Sequence, residues 1–218
     1  PYYNMGIILK RNGRVEEAID SYKKAISLRS DYVQAYNNLG VVYRDKEEYE
    51  DAIEMFTKVK ELQPDHQNSY YNLALIKKEQ GQSEEAIELL LKVLDLNPEH
   101  SDAKYNIAMI KKDKGLLQEA KKYLQDILKL DRENHEAVAS LANVYMALGN
   151  FNFAISSLRK AIDDNKRNST LVHYLGLCLV TIGKFKEGWK SIESIWEVED
   201  RKSSIWYKRA KKIWRGNK

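Results

Sequence analysis

Cysteine, proline and long apolar runs are all scarce in this chain, and each scarcity excludes a class of protein. A single cysteine, Cys178, rules out an intrachain disulfide framework and a multi-cysteine zinc site. Three prolines and ten glycines are too few for a loop-rich β-sandwich, a collagen-like chain or a disordered linker. No apolar run approaches the roughly 18 residues that a membrane-spanning helix needs. The chain opens at Pro1 with neither an initiator Met nor a signal-peptide pattern, so it is expected to be a piece of a longer protein whose targeting information is missing; a cytoplasmic location is a separate expectation. Catalytic motifs are missing as well. There is no zinc-protease helix motif, no dinucleotide glycine fingerprint and no phosphate-binding loop. His66, His100 and His135 recur about 34 residues apart and so fall on separate structural units, with His173 alone further on. Cys178 sits in an apolar helical stretch and reads as an inert buried thiol rather than a nucleophile. No active site, metal or cofactor is expected.

What is present is enough to build a core. Hydrophobic residues make up 43% of the 218 and charged residues 31%. The net charge of +4 is unevenly spread. Residues 201–218 carry eight basic side chains and no acidic one, leaving 28 basic and 32 acidic residues in the body. A body of that balance does not suit nucleic acid. All four tryptophans (Trp189, Trp196, Trp206, Trp214) fall in the last 30 residues.

A period of 34 residues organises the chain. Gly6, Gly40, Ala74, Ala108, Ala142 and Gly176 form one column of small residues; Ala18, Ala52, Ala86, Ala120, Ala154 and Gly188 form a second. Gly13, Gly81, Gly115, Gly149 and Gly183 form a third, in which Glu47 is the exception. Met5, Leu39, Leu73, Ile107, Leu141 and Leu175 form an apolar fourth. Small residues on two segments imply helices whose backbones approach closely. The third column suits a helix C-terminus, where a left-handed residue is needed. Acidic residues then open the next helix, as at Glu16–Glu17, Glu50–Asp51 and Glu84–Glu85, where carboxylates complement exposed N–H groups. Pro64 and Pro98 stop the second helix of their units. Tyr36, Leu39, Gly40 and Tyr43 mark one apolar helix face; Ala52, Ile53, Phe56 and Val59 mark the next. Each unit therefore predicts two helices of about 13–14 residues, each about 20 Å long. One such hairpin cannot bury both faces, so neighbours must stack.

This pattern resembles the tetratricopeptide repeat. From Tyr36 the chain reads Y-x2-L-G-x2-Y through Tyr43, followed by Tyr49, Ala52-Ile53, Phe56, Leu62 and Pro64. The resemblance spans residues 1–202 as six repeats (1–32, 33–66, 67–100, 101–134, 135–168 and 169–202). It implies an all-α, right-handed superhelical solenoid with residues 203–218 as a capping helix or the start of a linker. Lys77 and Lys111 stand where Tyr43 does, which predicts an altered inner surface in repeats three and four. Arg132, Lys166 and Asp200 replace the terminal proline.

In this family the first helix of each repeat lines a concave groove. Its columns here nominate a peptide-binding surface. Asn4, Asn38, Asn72 and Asn106 make a ladder, resembling the one in the repeat arm of O-linked N-acetylglucosamine transferase, whose amides could clasp an extended backbone. Bonding to the neighbouring repeat is the rival reading. Tyr3, Asn37, Tyr71 and Tyr105 supply flat contact area or pack adjacent repeats. Ile7, Val41, Leu75 and Met109 form an apolar stripe, for which core packing competes. Lys10, Arg44, Lys78 and Lys112 form a basic row that favours acidic partners, unless Asp45, Glu79 and Asp113 neutralise it. Repeats five and six offer a more apolar patch that includes Ala139, Met146, His173 and Leu177. The Lys/Asn/Lys/Arg clamp with which some relatives hold a chaperone's C-terminal carboxylate is absent: the matching columns read Tyr3, Ile7, Asn38, Asn68 and Asn72.

The expected function is a non-catalytic scaffold that binds an extended protein segment, with self-association through exposed repeat ends as a further reading. An alternative rests on Gly188-Trp189, Glu193, Trp196 and Trp214-x-Gly216. These resemble the stretch joining tetratricopeptide repeats to a glycosyltransferase domain, although Ile192 and Ile195 depart from it. They would make the chain the substrate-binding arm of such an enzyme. The same tail also reads as a capping helix with Trp206, Ala210 and Ile213 inward, or as a basic-aromatic helix for a membrane surface or nucleic acid.

Overall fold

The computed structural model describes residues 1–164 and 168–198, with side chains described for residues 1–163 and 168–194. The capping segment 203–218, the side chain of Trp196, and Trp206, Trp214 and Lys166 lie outside the described residues. Twelve α-helices and no strand occur among those described. In chain order they are α1 (Tyr2–Arg11), α2 (Val15–Leu28), α3 (Val33–Asp45), α4 (Tyr49–Leu62), α5 (Gln67–Glu79), α6 (Ser83–Leu96), α7 (Ser101–Asp113), α8 (Leu117–Leu130), α9 (His135–Ala147), α10 (Phe151–Asp164), α11 (Ser169–Thr181) and α12 (Phe185–Val198). Apart from the shorter α1, odd-numbered helices have 13 residues and even-numbered ones 14. The fold is all-α and repetitive. Residues Pro1–Ile110 form one compact unit and the chain from Lys111 onward a second.

In the first unit α1 packs on α2, α3 on α4 and α5 on α6, and α2 and α4 each also pack on the helix that follows. The interface within a hairpin is set by the two small columns. Gly40 stands against Phe56: a Cβ there would lie 2.9 Å from the ring's Cε1. Gly6 stands against Tyr22 in the same way, at 2.6 Å. Both rings are fully buried. In the next three repeats the small column becomes Ala74, Ala108 and Ala142, and the register of Phe56 becomes Leu90, Leu124 and Leu158, all buried. Within the first unit, glycine thus stands against the large rings Tyr22 and Phe56, and alanine at the register of Leu90. Around Tyr22 and Phe56 the core of this unit gathers Leu9, Ile19, Leu39, Val42, Leu73 and Ile76.

The second unit has its own core, built from Val138, Leu158, Leu171, Leu175, Cys178 and Leu179. There α9 packs on α10 and α11 on α12. Gly188 lets α12 close on α11, since a Cβ would meet the Gly176 carbonyl oxygen at 2.8 Å. Burial pushes the Cys178 thiol up to about 11, so it stays protonated and unreactive at neutral pH.

Turns within the hairpins close in one way. At the end of α5 the N–H of Gly81 donates to the Lys78 carbonyl (3.0 Å) and that of Gln82 to the Lys77 carbonyl (2.8 Å), with Gly81 at φ +76°. The four other glycines of that column also have φ between 74° and 82°. Glu47 makes the same bonds, N–H of Glu47 to Arg44 and of Glu48 to Tyr43 at 2.9 Å each, at φ 63°. It is the one non-glycine residue with positive φ among the described residues.

Helix starts divide into two types. Second helices begin without a side-chain cap at Arg14, Glu48, Gln82 and Leu116, and acidic first-turn residues stabilise the exposed N–H groups instead. First helices from α5 onward are capped from the junction. His66 Nδ1 accepts from Ser69 N–H and His100 Nδ1 from Ala103 N–H, both at 3.2 Å. Asn134 and Asn168 do the same for α9 and α11. Two of the recurring histidines are therefore caps, which accounts for their spacing.

Candidate functional site

Ile7, Val41, Leu75 and Met109 stand one to a helix on α1, α3, α5 and α7, all in the first unit and all half-exposed. Ile7 and Val41 rest on the core through one flank. Each lies three residues after a ladder asparagine and three before a residue of the basic row. The two polar columns therefore bracket the stripe along each helix.

Three of the four amides of that ladder are engaged. Asn106 is 8% exposed; its Oδ1 accepts from Lys78 Nζ at 2.7 Å, and its Nδ2 donates to the Asp102 carbonyl (3.0 Å) and the Tyr71 hydroxyl (3.2 Å). Asn72 is 7% exposed, accepts from the Arg44 guanidinium and donates to the Asn68 carbonyl at 2.9 Å. Asn38 is half-buried and donates to the Tyr3 hydroxyl at 3.2 Å. Asn37 lies beside it, with a long bond of 3.4 Å between the two amides. Asn4 alone of the ladder is exposed, and it lines a separate small cleft with Tyr2, Tyr3 and Tyr32.

These bonds run between hairpins. A cation 28 residues upstream, or a tyrosine 35 residues upstream, reaches across the junction to each amide. The asparagines recur, then, for an inter-hairpin reason: their short amides satisfy the polar ends of longer side chains from the preceding hairpin. The tyrosines share that junction role. Tyr3 lies 5.0 Å from Tyr32 and 6.1 Å from Tyr22 between ring centroids, and Tyr71 stacks on His100 at 5.1 Å.

The basic row is uneven. Lys10 Nζ meets Asp45 at 2.9 Å, and Arg44 meets the same carboxylate at 2.8 Å. Burial raises the Asp45 pKa, but the bonds from Lys10 and Arg44 outweigh it and hold the carboxyl below its usual range. Lys78 meets the neutral amide of Asn106. Lys112, in the second unit, lies 3.5 Å from Asp113. Hence two cations of the row share one carboxylate, and Lys78 keeps its charge uncompensated by any described ion pair.

Lys77 and Lys111 do not alter the inner surface as the sequence predicts. Lys77 pairs with Glu85 at 2.8 Å and bonds Gln82, and Lys111 pairs with Glu119 at 2.9 Å. Each spans to the second helix of its own repeat, where Tyr43 is buried in repeat two. A lysine stem replaces the ring, and a glutamate holds its ammonium.

Beside Leu75 the surface opens into a cleft of about 640 Å³, lined by Arg44, Asp45, Glu47, Tyr49, Leu75 and Glu79. Burial raises the Tyr49 hydroxyl's pKa, and Glu79, bonded to it, and Glu47 raise it further. Tyr49 and Glu47 were not singled out as binding residues by the sequence columns. The signal for Glu47 was its place as the one exception to the glycine column.

In the second unit the apolar patch is partly spent. Ala139 is buried and Met146 packs on the core, whereas His173 and Leu177 are exposed. No helix long and apolar enough to cross a membrane, and no group of three or more side chains able to hold a metal, occurs among the described residues.

Tetratricopeptide-repeat family models match residues 6–45, 31–99, 77–144 and 113–175. Among solved structures the chain is similar to YrrB, described as a tetratricopeptide-repeat protein with an unusual peptide-binding site. That match has 27% identity and a TM-score of 0.63, covering 79% of this chain and 89% of that one. It is similar to pilF of Pseudomonas aeruginosa at 20% identity and a TM-score of 0.76, covering 96% and 95%. MamA of Desulfovibrio magneticus RS-1 matches at 20% identity and a TM-score of 0.68, covering 77% and 95%. No curated protein matches the sequence.

Proposed function

The chain belongs to the tetratricopeptide repeat family, and on that basis we propose that it is a protein-interaction scaffold whose first-helix face in residues 1–110 binds an extended segment of a partner. One observation carries this reading: the half-exposed stripe of Ile7, Val41, Leu75 and Met109, repeating once per hairpin between polar columns. A row of apolar side chains with a constant step suits a partner that is itself extended. The peptide-binding site ascribed to YrrB supports the same use of the fold.

Roles within the face divide by burial. Ile7, Val41, Leu75 and Met109 take side chains of the partner. Asn37, Asn38, Tyr3, Tyr71 and Tyr105, half-exposed beside them, contribute polar and aromatic contact. Asn72 and Asn106 act as positioning residues, fixing Arg44 and Lys78. Lys10 and Arg44 are held by Asp45, and Lys112 lies beside Asp113 in the second unit, so attraction for acidic groups on this face falls to Lys78.

The test is a titration of the chain with a peptide selected from a random library on the immobilised protein, followed by amide chemical shifts. Shifts centred on Val41, Leu75 and Met109, and weakened binding in Leu75→Ser, are expected. Binding elsewhere, with this stripe silent, would overturn the reading.

A further inference from the structure

We propose that the cleft beside Leu75 accepts a lysine or arginine side chain of the bound segment, with its charged head against Glu47 and Glu79. This deepens the groove reading and rests on it.

The repeat itself provides the comparison. At the junction of the first two hairpins, Lys10 reaches 35 residues ahead and places its ammonium 2.9 Å from Asp45. One repeat later, the residue in the register of Lys10 is Arg44, and the residue in the register of Asp45 is Glu79. Arg44 does not go there. Its guanidinium is divided between Asp45 and Asn72, and Glu79 forms no ion pair among the described residues. A carboxylate whose counterpart is neutralised in the preceding junction is thus left facing an open cleft.

Glu47 adds a second charge at the same place. Five of the six positions in its column are glycine, and all five adopt positive φ. Glu47 adopts φ 63° without that freedom, in the left-handed region that residues with a Cβ avoid. Its side chain lines the cleft and carries no described ion pair. With Lys10 and Arg44 on one side and Asp45, Glu47 and Glu79 on the other, the local charge is negative by one. An incoming cation would balance it. Leu75 and the Tyr49 ring flank the same space and suit the aliphatic stem of a long basic side chain. A carboxylate from the partner would instead meet two like charges.

The experiment selects a random peptide library on the immobilised 218-residue chain and, separately, on Glu47→Gly and Glu79→Gln. Wild-type selection should enrich lysine or arginine flanked by apolar residues, and both variants should lose that bias while still enriching apolar peptides. A selected peptide whose basic residue is replaced by glutamate should bind wild type about fivefold more weakly, with little change on Glu79→Gln. Melting curves of both variants establish that they fold. Enrichment of apolar peptides with no basic preference, or with an acidic one, overturns this inference and leaves the groove intact. Failure to enrich any peptide overturns the groove reading and this inference with it.

Discussion

The Lys78 ammonium donates to the Asn106 side-chain oxygen at 2.7 Å, from α5 to the buried start of the next hairpin. That single bond alters what the asparagine column does. A side chain 8% exposed with both amide ends occupied is a structural fixture before it is a ligand contact.

Asn106→Ala is therefore expected to lower stability by about 1–3 kcal/mol, because the Tyr71 hydroxyl and the Lys78 ammonium each lose a partner. Asn72→Ala should behave alike. Asn4→Ala, at an exposed position, should stay within about 0.5 kcal/mol. Urea unfolding of the three variants checks the order. Equal, negligible losses for all three would show that the inter-hairpin bonds contribute nothing.

Gly40→Ala tests the hairpin interface. Alanine gains about 1 kcal/mol of helix propensity, but its methyl group meets a fully buried ring at 2.9 Å. Overpacking of that kind costs about 1–3 kcal/mol, so a net loss is expected. Combining it with Phe56→Leu copies the Ala–Leu registers of repeats three and five. The double variant should be clearly more stable than the sum of the two single losses predicts. Simple additivity would sink the proposed matching of small and large columns.

Glu47→Gly should raise stability by about 0.5–1 kcal/mol. Relief of the left-handed backbone exceeds glycine's greater entropy loss on folding. Differential scanning calorimetry would register a higher melting temperature. An unchanged or lower value would mean that the Glu47 side chain stabilises the turn by as much as its backbone strains it.

His66 makes part of the stability pH-dependent. Its Nδ1 accepts a backbone bond and so must be unprotonated there, and burial lowers its pKa. A lowered folded-state value means that the unfolded chain binds the proton more readily. The contribution is complete above the unfolded value of about 6.5 and is lost as pH falls from there through the lowered folded value. His66→Asn keeps a cap acceptor, as Asn134 does for α9, without titrating. Stability of the variant at neutral pH should match wild type, and its decline on acidification should be shallower. Parallel acid declines would remove His66 from the dependence.

Much of this was readable without coordinates. The 34-residue step, the alternation of helices, the left-handed glycine turns and the acidic first turns are all consequences of local chemistry. Helix propensity, capping and backbone freedom act over a few residues, so their signature is written in neighbouring letters. Gly81 and Glu84 illustrate it: one needs no tertiary contact to end a helix, the other none to favour the start of the next.

What sequence spacing left undecided was the destination of long polar side chains. Asn72 and Asn106 looked available because no side chain near them in sequence claims their amide oxygens. Their partners, Arg44 and Lys78, arrive from 28 residues upstream. Lys77 and Lys111 looked groove-facing but turn to glutamates on the second helix of their own repeat. A lysine or arginine head can reach several acceptors, and the packing distance between hairpins decides which one it meets. The chain's order of residues thus determined that hairpins form and stack. Tertiary contact alone decided that Arg44 satisfies Asp45 and Asn72, and so left Glu79 without the cation that Asp45 enjoys one repeat earlier.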